Sequence, residues 1–251
     1  MALKFSDAVC CNGNLCKEYT ASLGFPPERM TTGHMAADTE ALGVQRKQVD
    51  ANAIESLRKS WDAKGVVFLS VGQLITRKGI SNLLDGWQQF ERKYPGQGAL
   101  IIVGAGPEEK SLKEQATRQG LSEVRFVGAI DYDRLAPYYA AADAFIISTL
   151  EDNWSLVVPE AMACGLPILC SKYNGCWPEL VHEGRNGWIF DPLAVSDILR
   201  SLEACLSNRK NLSTMGENSR QILQDHTPQK AAAAIFESCQ IALHHRNGPG
   251  K

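Results

Sequence analysis

The chain has 251 residues, 44% of them hydrophobic and 22% charged, which allows a sizeable core in one large domain or two small ones. A net charge of −2 gives no signature of a nucleic-acid partner, and no apolar run approaches the ~20 residues of a membrane span. The start, Met1 to Asp7, lacks the apolar stretch of a signal peptide, and Cys10, Cys11 and Cys16 lack the paired spacing of a zinc site, so reduced, mostly buried thiols and a cytoplasmic location are expected.

Asp7 to Cys11 reads as a strand, Leu15 to Leu23 as a helix and Arg29 to Gly33 as another strand. They precede the repeating part of the chain and have no evident partners within it. A strand without a sheet leaves its backbone groups unpaired. Residues 1–40 are therefore expected to be the end of a preceding domain, followed by a polar, partly helical linker over 41–64. From Gly65 onward, short apolar runs alternate with helical patterns. Val66 to Val71 is a strand, Ile80 to Tyr94 an amphipathic helix, and Ala99 to Val103 a second strand. A helix opened by Pro107 closes near Gly120. Further strands fall at Val124 to Val127, Ala144 to Ile147, Pro167 to Cys170 and Trp188 to Phe190. This alternation specifies a parallel sheet covered on both faces, a doubly wound, Rossmann-like α/β domain over residues 65–226. Its ligand crevice belongs at the carboxyl ends of the strands, where Gly72, Gly104, Gly128 and Ser148 fall. Leu193 to His245 reads as helical, with residues 227–251 forming a C-terminal helix and tail.

The most informative stretch runs from Asp152 to Pro167, with the carboxylates Asp152 and Glu160 on either side of a helix start. Ser155 is a good N-cap, Pro159 is tolerable in a first turn, and Gly165 with Pro167 supplies the stop. The amino end of that helix attracts anions, and a carboxylate accepts hydrogen bonds from two neighbouring hydroxyls. A nucleotide-sugar offers both groups. Glu160 sits in an otherwise apolar run, Leu156 to Cys164, where an unpartnered carboxylate costs several kcal/mol.

Other motifs have plainer readings. Gly72 to Gly79 is not a P-loop, because Lys78 precedes the glycine, although Lys78 at a helix start can meet a pyrophosphate; taken alone, Arg77 and Lys78 read as a solvated pair. Gly104-Ala105-Gly106 has Glu109 where a dinucleotide fingerprint needs glycine and reads as a structural turn. Asp131 and Asp133 read as helix caps rather than metal ligands, so no metal is expected. The five histidines form no catalytic constellation.

Together these residues resemble the carboxyl-terminal, donor-binding half of the group 1, family-four GT-B glycosyltransferases. The resemblance rests on Asp152 followed, after seven intervening residues, by Glu160-Ala-Met-Ala-Cys-Gly-Leu-Pro, on Val71 to Gly79, and on Ile102 to Glu108. Val124 to Gly128, Ala142 to Ala144 and Glu179 to Val181 with Gly187 complete it, in order. Residues 5 to 38 resemble the end of the family's first domain and its crossing segment. The resemblance implies transfer of a hexose from a UDP-, GDP- or ADP-sugar to an acceptor hydroxyl, with retention and without a further cofactor. It implies that Glu160 holds the ribose hydroxyls, Asp152 sits by the transferred sugar, and Lys78 touches the diphosphate. The backbone near Ile130 meets the base, and the amides of Trp154, Ser155, Leu156 and Val157 bind sugar or distal phosphate. Gly72, Gln73 and Arg77 complete the implied donor site, with Asp152 and Lys78 as the catalytic pair.

Three departures stand out. Gln73 occupies a position where many relatives have arginine, Asp152 is shorter than the usual glutamate, and two full domains would need roughly 300–400 residues. Most of the acceptor domain is therefore expected to be missing, which leaves room for a separate acceptor-domain chain as partner. A lipid acceptor would bring the protein to a membrane surface. The rival readings are a catalytically inactive donor-binding-like subunit or scaffold for another transferase chain, and a nucleotide-sugar epimerase.

Overall fold

A computed structural model describes residues 5–33 and 35–247; the readings for Met1 to Lys4 and for the tail beyond residue 247 lie outside the described residues. The chain opens with strand β1 (Val9–Cys11), helix α1 (Asn14–Ser22) and strand β2 (Met30–Thr32). Helices α2 (Thr39–Gln48) and α3 (Ala51–Ser60) follow. The main unit then runs β3 (Val66–Val71), α4 (Ile80–Lys93), β4 (Gly98–Val103), α5 (Glu109–Gln119), β5 (Val124–Gly128), α6 (Ala136–Ala141), β6 (Ala144–Ile147) and α7 (Val157–Ala163). It continues with β7 (Ile168–Ser171), α8 (Trp177–Leu180), β8 (Gly187–Phe190), α9 (Val195–Ser207), α10 (Leu212–Leu223) and α11 (Pro228–Asn247).

The six main strands pair in the order β5-β4-β3-β6-β7-β8, all parallel. Strand order therefore reverses between β3 and β6, the place where a doubly wound sheet opens a ligand crevice. Alternate residues supply the two faces. Val67, Leu69, Ile101 and Phe145 join one core, beneath α2, α3, α6 and α7, while Phe68, Leu100, Ile102 and Ile146 join the other, beneath α4, α5 and α9. In α4, Ile80, Leu83, Leu84, Trp87 and Phe90 are buried at helical spacing, which explains that helix without any intrinsic propensity argument. Asp143, part of the Ala-Asp-Ala motif, has a structural task. Arg58 of α3 grips both its oxygens, at 2.9 and 3.2 Å, and Oδ2 accepts the Val67 amide at 2.7 Å.

Two regions hold more structure than their local pattern carries. As expected, the front strands have no partner in the main sheet, but they are not left unpaired: β1 and β2 pair with each other in parallel, joined by α1, and α11 packs back on them through Thr31 Oγ1 donating to the Ala234 carbonyl at 2.9 Å. Three-residue strands with a helix between them carry too little pattern to reveal a parallel pair. The stretch expected to be a polar, partly helical linker carries the helices α2 and α3, with Leu42 buried against the main unit and Asp38 capping α2 by accepting from the Ala41 amide. Smaller differences follow from turns. Helix α5 starts at Glu109 rather than Pro107, because the Glu109 amide first closes a turn onto Gly106. Among the described residues no helix is long and apolar enough to cross a membrane.

Candidate functional site

The site is built where the loop after β3 meets the loop after β6. Residues Thr76–Lys78 form a single 3-10 turn closed by Gly79 at φ +64°. Gly79 is required there twice over: the left-handed backbone disfavours a side chain, and a Cβ would overlap the Ser148 carbonyl oxygen. The second loop then fastens the turn. The Arg77 carbonyl accepts from the Leu150 amide (2.7 Å) and the Thr149 hydroxyl (2.9 Å), and the Lys78 carbonyl accepts from the Ser148 hydroxyl (3.0 Å). With its backbone fixed, Lys78 aims its side chain at Asp152.

Lys78 Nζ lies 2.6 Å from Asp152 Oδ2. The same oxygen accepts the Ser155 hydroxyl at 2.6 Å, and Oδ1 accepts the Trp154 amide at 3.3 Å. Burial acts to raise the Asp152 pKa, but Lys78, Ser155 and the Trp154 amide together outweigh it and hold the carboxyl below its ordinary value. The solvated-pair reading of Arg77 and Lys78 is thus wrong for Lys78, whose side chain is only 18% exposed, and holds in part for Arg77, which is 50% exposed and 3.7 Å from Asp152. Ser155 does not cap the helix. Its hydroxyl goes to Asp152, and α7 starts behind Leu156 without a side-chain cap. The capping reading of Asp131 and Asp133 also fails in detail, since Asp131 precedes the Tyr132–Arg134 turn without a side-chain cap bond, and Leu135 stands at the start of α6.

Glu160 lies in the first turn of α7, on the same helix face as Leu156 and Val157 and one turn deeper. It is 6% exposed, and its Oε2 accepts the Tyr139 hydroxyl at 3.1 Å. Burial pushes its pKa up to about 7, against a smaller downward pull from Tyr139. The hydroxyl of Tyr132 is pushed up to about 12 by burial and by the charges of Glu160 and Asp38.

Arg77, Lys78, Asp152, Trp154, Ser155, Leu156 and Val157 line one cleft of about 530 Å³, which also takes in Asn12 and Met35 from the front segment. Its size suits a small-molecule ligand. Gly72 and Gln73 meet Lys78 in a narrow gap at the ends of β3 and β6. Ile130 is half-buried against the core beyond β5, and neither it nor Glu160 is on the cleft wall. A wider hollow of about 740 Å³ runs along α5 beside Gly106, but it is lined by Glu109, Lys110 and Lys113, charges of both signs on one helix surface, and no chemistry converges there. Among the described residues no cluster of three or more His, Cys, Asp or Glu side chains is arranged to hold a metal.

Sequence reasoning missed Tyr139, Thr149 and Asn174. Tyr139 had a signal: it falls on the buried face of α6 with Leu135, where a hydroxyl needs a partner. Thr149 and the strap around Asn174, whose neighbour Gly175 donates its amide to the Asp152 carbonyl at 2.7 Å, lie in loops with no periodicity to read.

The sequence model of the family described as glycosyl transferases group 1 matches residues 54–222. The chain belongs to that family. This group 1 glycosyl transferase chain is 31% identical over 163 residues to an uncharacterized glycosyltransferase of Haemophilus influenzae, covering 64% of this chain and 45% of the relative. It is 28% identical over 215 residues to a GDP-mannose-dependent alpha-(1-6)-phosphatidylinositol monomannoside mannosyltransferase of Mycolicibacterium smegmatis, covering 82% and 53%. Its fold matches Anabaena Alr3699/HepE, solved in complex with UDP, at a TM-score of 0.80 and 24% identity, over 95% of this chain and 65% of that one. The group 1 chain thus spans about half the length of these curated relatives, and the expected fold, the doubly wound second half of a GT-B architecture, is the one found.

Proposed function

We propose that this chain supplies the donor-binding half of a retaining GT-B glycosyltransferase that moves a hexose from a nucleotide-diphosphate sugar to an acceptor hydroxyl. The arrangement that carries the reading is a buried carboxylate, Glu160, set one helical turn behind a cleft where Lys78 and Asp152 meet at the start of α7. Lys78, with Arg77, neutralises the diphosphate as charge builds on the leaving group, and the backbone from Trp154 to Val157 adds donors. Gly72 and Gln73 let the phosphates approach, Glu160 accepts the ribose hydroxyls, and the backbone at Ile130 meets the base. Asp152 stands beside the transferred sugar and stabilises its oxocarbenium-like transition state. An ion pair already joins Lys78 to Asp152, so the incoming diphosphate competes for Lys78. No metal or cofactor enters this scheme; the cations are the protein's own.

The names of the relatives support a nucleotide-sugar donor in general terms: one is GDP-mannose-dependent, and one structural neighbour was solved with UDP. We place the work of the chain in the cytoplasm, at a membrane surface if the acceptor is a lipid. Calorimetric titration with UDP, GDP and ADP tests the reading, and a folded chain that binds none of them defeats it.

One observation favours a second reading, a catalytically inactive subunit working with a separate acceptor-domain chain. Asp152 Oδ2 already accepts both Lys78 and Ser155, which leaves less of the carboxylate for a sugar. Turnover on mixing with an acceptor-domain chain would refute it.

A further inference from the structure

The site leaves one buried polar group without a task. Tyr139 is fully buried in α6, among Leu135, Ala136 and Phe145, and its hydroxyl donates to Glu160 Oε2 at 3.1 Å. A phenol in an apolar core needs a partner, yet packing alone would be served by phenylalanine, which fills the same space against Phe145 at 6.1 Å between ring centroids. Among the described residues the Tyr139 hydroxyl bonds Oε2 of Glu160, and Oε1 is neither hydrogen-bonded nor among the buried side-chain atoms without a partner.

We infer that Tyr139 is a positioning residue for donor recognition: its hydroxyl holds Oε2 of Glu160 and turns Oε1 outward to receive the ligand's vicinal diol. This rests on the proposed role of Glu160. Among the described residues no cation contacts Glu160. The described groups that face it are Tyr139 from α6, Tyr132 from the turn before it, and Cys164 at the end of α7. Arg46 of α2 and Arg220 of α10 act on Cys164 instead, and Arg220 donates to the carbonyls of Ala163 and Cys164 and to the Glu217 carboxylate. A single phenolic donor therefore both orients the carboxylate and favours its charged form, which is the form that accepts two hydroxyls.

The test compares wild type, Tyr139→Phe and Glu160→Gln by calorimetry with the tightest-binding of UDP, GDP and ADP, between pH 6 and 9. Wild-type affinity should fall as pH drops below about 7, where Glu160 takes up a proton. Tyr139→Phe should move that fall to higher pH, giving about a tenfold loss at pH 7 and under about threefold at pH 9. A uniform loss at every pH, or no loss, overturns the inference. If Glu160→Gln binds as wild type does, the proposed role of Glu160 fails, and with it the reason for a positioner. Carbon-13 NMR of the Glu160 carboxyl reads the same hydrogen bond without ligand. An unchanged midpoint in Tyr139→Phe would overturn the inference even where nucleotide binding is lost for other reasons.

Discussion

Lys78 Nζ and Asp152 Oδ2 sit 2.6 Å apart although 74 residues separate them in the chain. They meet because the turn before Gly79 is bonded to the strand-end loop from Ser148 to Leu150, which puts the turn before α4 against the loop that leads to α7. A cation held over a helix start by an acid is a charge that an anion can take over.

Substitutions at the two ends of this pair should act in opposite directions. Lys78→Ala should lower affinity for a nucleoside diphosphate by about 2 kcal/mol, with little change for the bare nucleoside, because only the phosphates meet the ammonium. Asp152→Asn removes a negative charge beside the diphosphate and releases Lys78. Nucleoside-diphosphate affinity should rise by about 1 kcal/mol while transfer activity falls. Calorimetry with the nucleoside and its diphosphate reads both. Equal losses in the two variants would mean that the pair is structural.

Glu160 should make the free protein less stable in mild alkali. Its pKa is about 7 when folded against an ordinary 4.5, so the native state holds this proton more tightly than the unfolded chain does. The contribution of Glu160 to stability is therefore fully present below pH 4.5, declines as pH rises through this window and levels off above 7, a total change of about 3 kcal/mol. Urea midpoints of Glu160→Gln should exceed those of wild type at pH 8 and converge with them near pH 5. A constant difference at both values would show that ionisation of Glu160 is not the cause.

Gly79→Ala forces a side chain into a left-handed turn and against the Ser148 carbonyl. It should cost about 2 kcal/mol or more in denaturant unfolding. Whatever folds should bind nucleotide more weakly than its stability alone would suggest, because the turn aims Lys78. Wild-type stability in this variant would contradict the loop geometry described above.

The main sheet is legible in the sequence because its strands are continuous apolar runs, such as Val66 to Val71 and Ala144 to Ile147, and its helices repeat at helical spacing, as from Ile80 to Phe90. Glu160 announces itself as a carboxylate in an apolar run. What escapes is whatever depends on contacts between distant residues. The pairing of β1 with β2 joins two three-residue strands, Ser155 serves Asp152 rather than its own helix, and Tyr139 finds Glu160 across two helices. Local pattern gives each of these residues a default partner, and tertiary packing supplies a better one.

The measurement that bears most directly on the account is a calorimetric comparison of wild type and Glu160→Gln with UDP, GDP and ADP at pH 8. The account predicts saturable binding of at least one nucleotide to wild type, weakened by about 1–3 kcal/mol in the variant even though the variant is the more stable protein. Undiminished binding in Glu160→Gln, or no binding of any of the three to folded wild type, would contradict it.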